Sequence, residues 1–257
     1  FDAIAHRELA FDGVIRAEDI PGFTYEDVVF TAEARIITYN GPPDKTMSLV
    51  HPATDKIFVH YMYNQFIEDE IRLGVAVDGL VNLYDWRDEE RMHHIYVFAE
   101  ELDILKKARD AFTRHLARRA REDIARDIDI PEDDGAEMFT GGLRDAQISN
   151  IVQNARVLFS TFAYAGTGIS INKMTAMMFL TPRKANMTQI LARILRRGSD
   201  MRIPRIVVDI VDNKTALRYQ VVSRKLAYEF YGFAVVNSKV QYDDAQKVIP
   251  IPKKQVN

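Results

Sequence analysis

The sequence predicts an α/β protein with a mainly parallel sheet, flanked by helices and preceded by an irregular N-terminal extension. Three observations predict it. Short continuous apolar runs such as His94-Ile95-Tyr96-Val97-Phe98-Ala99 have the character of strands buried on both faces. These runs alternate with amphipathic helical stretches at short spacing, as strand–helix–strand units do. The composition supports a core, with 47% hydrophobic and 28% charged residues among 257.

Residues 1–60 are irregular. Ile20-Pro21-Gly22-Phe23 reads as a turn, and residues 34–39 as a short strand broken by Asn40-Gly41-Pro42-Pro43-Asp44. Phe58, Met62 and Phe66 suggest one helix, and Ile71, Val75, Val77, Leu80 and Leu83 a second. After the strand at 94–99 come a charged helix at 102–126, a loop at 131–135 and a brief strand at 138–140 closed by Gly141-Gly142. A helix at 145–152, strands at 155–161 and 176–181, a helix at 187–197, a strand at 205–210 and a helix at 216–232 complete the alternation. Residues 237–257 are polar and read as a loosely held tail. The expected division is a segment or linker at 1–90, a domain at 91–236 and a tail at 237–257.

Several functions drop out. Cysteine is absent, which removes disulfides, thiolate zinc sites and thiol nucleophiles together, and is compatible with a cytoplasmic compartment. No apolar run approaches the roughly 20 residues of a membrane-spanning helix. The net charge of -3 argues against nucleic-acid binding through overall charge alone, while leaving room for a local basic face. Gly41-Pro42-Pro43-Asp44-Lys45-Thr46 lacks the second glycine of a phosphate loop, and its prolines remove amide donors. The six histidines are scattered or adjacent, and predict no metal site. Asp209 and Asp212 close a strand, where a turn-capping role is expected of them. The pair Gly166 and Gly168 reads by itself as a tight turn.

The densest cationic feature is Arg193, Arg196, Arg197, Arg202 and Arg205, with Arg183 and Lys184 upstream. Gln189, Arg193 and Arg196 fall at i, i+4 and i+7, one face of a helix. Planar guanidinium groups suit phosphate oxygens. Alone, this helix is equally well read as a plain surface helix.

In context, the order of segments resembles the second RecA-like domain of a superfamily 2 helicase of viral or phage type. Ile95-Tyr96-Val97-Phe98 resembles that family's motif IV, and Thr140-Gly141-Gly142 its threonine-glycine segment. Residues 160–171 resemble motif V, and Gln189 to Arg196 resemble motif VI, Gln-x-x-Gly-Arg-x-x-Arg. Residues 62–72 resemble the segment joining the two motor domains in such DNA helicases. The resemblance spans roughly residues 56–232. Ser170 stands where motif V usually has Asp, and Ala192 where motif VI has Gly.

The resemblance implies a RecA-like, P-loop-NTPase-type fold and an ATP-dependent DNA helicase or translocase. It gives Arg196 the role of arginine finger, Arg193 that of second cation, and Gln189 that of orienting the nucleotide or water. Gly168 and Ser170 fall on the nucleotide side. Thr140, Gly141, Gly142, Ser160 and Thr161 would hold phosphates of single- or double-stranded DNA, or RNA. ATP and Mg2+ would be bound mainly by a first RecA-like domain absent here. With the Phe1 start, that absence gives the expectation that the chain is the C-terminal part of a helicase and does not hydrolyse ATP alone. The alternative is a non-catalytic RecA-like module that binds nucleic acid or regulates, a reading favoured by Ser170.

Overall fold

The computed structural model describes residues 31–41, 69–124, 135–165, 171–183, 185–196, 199–242 and 248–250. One eight-stranded sheet organises them. Its strands are β1 (Ala32–Asn40), β4 (Ile95–Ala99), β5 (Ala136–Met138), β6 (Val157–Thr161), β7 (Ala176–Phe179), β8 (Arg205–Asp212), β9 (Ala234–Tyr242) and β10 (Val248–Pro250). They lie side by side in the order β10-β9-β1-β8-β7-β4-β6-β5. Every pairing in this sheet is parallel except that of β10 with β9. A two-stranded hairpin, β2 (Arg87–Asp88) and β3 (Arg91–Met92), stands apart.

The side-chain period of two sorts each strand between two cores. Ile95, Val97 and Ala99 of β4 and Ile206, Val208 and Ile210 of β8 face α1 (Glu70–Tyr84) and α2 (Leu102–Ile124). Tyr96, Phe98, Val207 and Val211 face the opposite layer. That layer holds α3 (Asp145–Asn154), the short α4 (Phe162–Ala165), α5 (Met187–Leu191) and α6 (Val221–Phe230), the last led in by a 3-10 turn at Ala216–Gln220. Helices therefore cover both faces, as an apolar parallel sheet requires. On α1, a Cβ at Gly79 would stand 3.3 Å from Val208 and 3.4 Å from Met178, so the glycine lets this helix lie close on the sheet.

Four expectations change. Residues 34–39 do form a strand, but it lies inside the sheet, between β8 and β9, rather than in a separate N-terminal segment. Residues 234–242 and 248–250 are strands, so the expected tail supplies one side of the sheet. From Ala234 to Lys239 every residue of β9 is exposed, and the polar run Asn237-Ser238-Lys239 makes the strand read as the start of a tail. The brief strand near Met138 begins two residues earlier, leaving Thr140 in the loop beyond it. The helix expected over 187–197 closes at Leu191. Beyond it, Arg193, Ile194 and Leu195 donate backbone bonds to the residue three back, a tightened 3-10-type turn that buries Ile194. The turn at 20–23, the helix on Phe58, Met62 and Phe66 and the loop at 131–134 lie outside the described residues, as does the segment from 62 to 68.

Candidate functional site

In an open parallel sheet the carboxyl ends of the strands share one edge, and there the loops carry the chemistry. Here that edge bears Glu100 after β4, Thr140-Gly141-Gly142 after β5, Thr161 at the end of β6 and Thr181-Pro182-Arg183 after β7. Gly141 and Gly142 are exposed, with open space where a Cβ would stand, and Gly142 adopts a φ of +88° that only glycine takes readily. The turn presents bare backbone beside the half-buried Thr140. The Thr161 hydroxyl accepts the amide of Tyr164 at 3.2 Å and so starts α4.

Arg183 reaches across this edge. Its Nη1 donates to Glu100 Oε1 at 2.6 Å, its Nε donates to the Ala185 carbonyl at 3.2 Å, and its guanidinium carbon lies 5.0 Å from the Phe162 ring centroid. Strands β7, β4 and β6 are neighbours, so one side chain spans three strand ends.

The motif VI arginines stand on the tightened turn after α5. Arg193 is half-buried and hydrogen-bonded to the phenol of Tyr96, a core residue of β4. Burial holds the Arg193 guanidinium below its ordinary range. Burial likewise pushes the Tyr96 phenol up to about 12, opposed by the charges of Arg193 and Arg196. Arg196 directly follows that turn, and its charge acts on both Tyr96 and Arg193, so the two guanidinium groups stand near each other. Arg196 is half-buried, and among the described residues no carboxylate lies within ion-pair reach of it. Gln189 is exposed on α5.

Other arginines are used differently. Arg72, at 2% exposure, gives Nε to Asp212 at 2.6 Å and Nη2 to the Leu180 carbonyl at 2.7 Å. Arg224 is fully buried, with Nε 2.7 Å from Asp209 and Nη1 3.1 Å from the Arg183 carbonyl. Tyr228 donates to the same Asp209 oxygen at 2.9 Å. Asp209 and Asp212 are thus buried ion-pair partners rather than the turn caps expected of them. Desolvation raises the Asp212 carboxyl even so, with the Arg72 charge opposing it.

Among solved structures, the chain is similar to T4 UvsW, with a TM-score of 0.51 and 15% identity, over 81% of this chain and 41% of that one. The fold is that of a RecA-like helicase domain. In sequence, this RecA-like domain is similar to QP509L of African swine fever virus, a protein named as an ATP-dependent RNA helicase. The Badajoz 1971 Vero-adapted strain's protein is 30% identical over 223 residues, which are 83% of this chain and 41% of that protein. The Malawi Lil 20-1/1983 isolate's protein is 29% identical over 222 residues, again 83% and 41%. The chain therefore spans about two fifths of the length of these relatives. No protein-family model matches it.

Within this RecA-like domain the predicted site residues separate into three groups. Thr140, Gly141, Gly142 and Thr161 share the carboxyl edge, on the adjacent strands β5 and β6. Gln189, Arg193 and Arg196 share α5 and its closing turn. Gly168 and Ser170 lie outside the described residues. Ser160, at the end of β6, is buried at 1% exposure, and its hydroxyl donates to the Thr161 carbonyl at 3.4 Å. Arg193 is not simply a second outward cation, because Tyr96 engages it. Sequence reasoning missed Tyr96, whose signal was a lone phenol inside an apolar strand. It also missed the Glu100–Arg183 pair, signalled only by charges that follow two strand ends, Glu100 at once and Arg183 four residues on. His93 is a core group: it is fully buried, its Nδ1 3.0 Å from the Thr175 hydroxyl and its ring 4.4 Å from Trp86. No helix among the described residues is long and apolar enough to cross a membrane.

Proposed function

We propose that the chain is the second motor domain of an ATP-dependent helicase or translocase acting on nucleic acid. The observation that carries the reading is Arg196. It stands on the motif VI turn without a carboxylate of its own domain among the described residues, while Arg72 and Arg224 are buried against Asp212 and Asp209. A guanidinium left toward the surface suits a phosphate brought by another domain, and such a cation at the γ-phosphate contributes about 10³ or more in rate. Arg196 acts as that finger, Gln189 orients the nucleotide or water, and Arg193, fixed by Tyr96, holds the turn and adds positive potential. Gly168 and Ser170 line the nucleotide side. The amides of Gly141 and Gly142 and the hydroxyls of Thr140 and Thr161 contact phosphates of the tracked strand, contacts that are sequence-independent and salt-sensitive.

ATP fits this face only in part. Arg196 and Gln189 suit its terminal phosphate, whereas triphosphate binding needs a phosphate loop that this sequence lacks. Mg2+, whose chemistry is to neutralise charge building on the phosphates, is assigned to the first domain. The tracked strand is DNA or RNA; the viral relatives carry RNA in their names. The second reading, a binding or regulatory module without a motor role, is favoured by the commitment of Arg193 to Tyr96. Joining the chain to a first RecA-like domain and measuring polynucleotide-stimulated ATP hydrolysis separates the two. The motor reading expects hydrolysis from the joined protein and none from the chain alone. Turnover by the chain alone, or a joined protein that binds ATP without hydrolysing it, sinks that reading.

A further inference from the structure

We propose that Arg183 is a phosphate-binding cation of the nucleic-acid face and that Glu100 is its built-in competitor, holding the guanidinium until a polynucleotide phosphate displaces it. The inference rests on the reading of the carboxyl edge as the surface that meets nucleic acid, and it adds a binding residue and a regulating one.

The placement argues for it. The pair lies where β7, β4 and β6 end side by side, and Phe162, beneath the guanidinium, directly follows Thr161. Arg183 is held at four points: Glu100, the Ala185 carbonyl, the Phe162 ring, and its own carbonyl, which accepts Arg224 Nη1. Glu100 is fixed in turn, because its amide donates to the Thr181 hydroxyl at 2.9 Å. Both side chains still meet solvent, at 21% for Arg183 and 31% for Glu100. A guanidinium that is pre-positioned yet reachable loses little freedom on meeting an oxyanion, and its fork serves phosphate as it serves carboxylate. The Arg72–Asp212 and Arg224–Asp209 pairs, by contrast, are sealed, so no phosphate can reach them. Solvent still screens the half-buried Glu100–Arg183 pair, so a phosphate with further backbone contacts nearby outcompetes it.

The test is binding of the intact chain to a fluorescein-labelled single-stranded 15-mer, in DNA and RNA forms, across a salt series. Three single variants are compared with the parent: Glu100→Gln, Arg183→Gln and Gly142→Asp. The Glu100→Gln chain is expected to bind up to about fivefold more tightly, since the competing pair is gone. A gain of this kind cannot come from misfolding. Arg183→Gln is expected to bind more weakly and to lower the log–log salt slope by about 0.7, the loss of one phosphate contact on a single strand. Gly142→Asp, which sets a negative charge on the neighbouring turn, reports on the edge without touching the pair. Binding by the parent that Gly142→Asp weakens, but that neither pair variant changes, overturns the role of Arg183 and leaves the edge reading standing. Weaker binding by Glu100→Gln also overturns it, because the pair then serves only to shape the loop. No binding of either polymer by the parent at low salt sinks both.

Discussion

The arginines that reach β8 from its flanking helices and the arginines around α5 live under different rules. Arg72 and Arg224 are sealed inside, each against an aspartate of β8, and they tie α1 and α6 to the middle of the sheet. Arg196 and Arg183 sit where solvent still reaches them, one without an own-domain carboxylate among the described residues and one sharing a half-buried glutamate. Burying a charge is tolerated only with a partner, so the first pair can hold the frame but cannot meet a ligand. The second pair keeps guanidinium groups that solvent can reach. The lesson is that an arginine count along the sequence says less than the carboxylates each arginine finds in the fold.

The largest effect expected from breaking this contrast is on the sealed side. Arg224→Ala strands Asp209 in the core, with only Tyr228 still donating to it, and should cost about 3–5 kcal/mol in denaturant unfolding. A loss below about 1 kcal/mol would mean the pair is not a framework element. On the open side, the motor reading expects Arg196→Ala, in the chain joined to a first RecA-like domain, to lower ATP turnover by roughly two orders of magnitude. Its unfolding free energy should stay within about 0.5 kcal/mol of the parent. Arg196→Lys should fail as well, because an ammonium does not reproduce the planar fork. Lost stability with unchanged turnover per folded molecule would move Arg196 to the sealed class.

A titration sharpens the same contrast for neutral groups. Burial lowers the imidazole of His93 to about 3 and that of His94 to about 4, with nearby cations adding to both. Folding therefore favours their uncharged forms. Their contribution is complete above the ordinary histidine range and is lost as pH falls from about 6.5 toward 4, where the unfolded chain binds more protons. Thermal unfolding between about pH 7 and 4.5 should fall less steeply in His93→Gln than in the parent. Equal slopes would show that His93 does not couple to folding.

Much of the fold was legible because buried parallel strands are apolar throughout: β4, β6, β7 and β8 each stand out as runs. The stretch from 234 to 242 was not legible, since every residue from Ala234 to Lys239 is exposed and the run Asn237-Ser238-Lys239 looks like a tail. Nor could β1 be placed, because its partners β8 and β9 are more than 160 residues away and parallel pairing leaves no local mark. At the site, the order of motif-like segments brought out Thr140, Gly141, Gly142, Gln189, Arg193 and Arg196. Spacing could not show that the helix tightens after Leu191, that Tyr96 engages Arg193, or that Ser160 points inward. Those outcomes depend on packing between elements distant in sequence.

The smallest expected effect separates backbone from side chain at the glycine turn. Gly142 has a φ of +88° and nothing within 4 Å of where a Cβ would stand, so Gly142→Ala meets strain without a clash. The left-handed region costs an L-residue roughly 1–2 kcal/mol, and that is the destabilisation expected. Gly141 has the same open surroundings and no positive φ, so Gly141→Ala should be close to neutral in stability. At Gly135 both penalties combine: φ is +55°, and an added Cβ would stand 3.0 Å from the Arg156 amide nitrogen. Gly135→Ala should therefore lose more than Gly142→Ala. The order Gly135, Gly142, Gly141 in chemical unfolding would confirm that the turn after β5 is shaped by its backbone and not by packing. If Gly141→Ala instead weakens oligonucleotide binding with stability unchanged, the open space above the turn is where the strand passes. A loss of stability at Gly141 equal to that at Gly142 would show the turn is packed against something, and its amides would then not be available to phosphate.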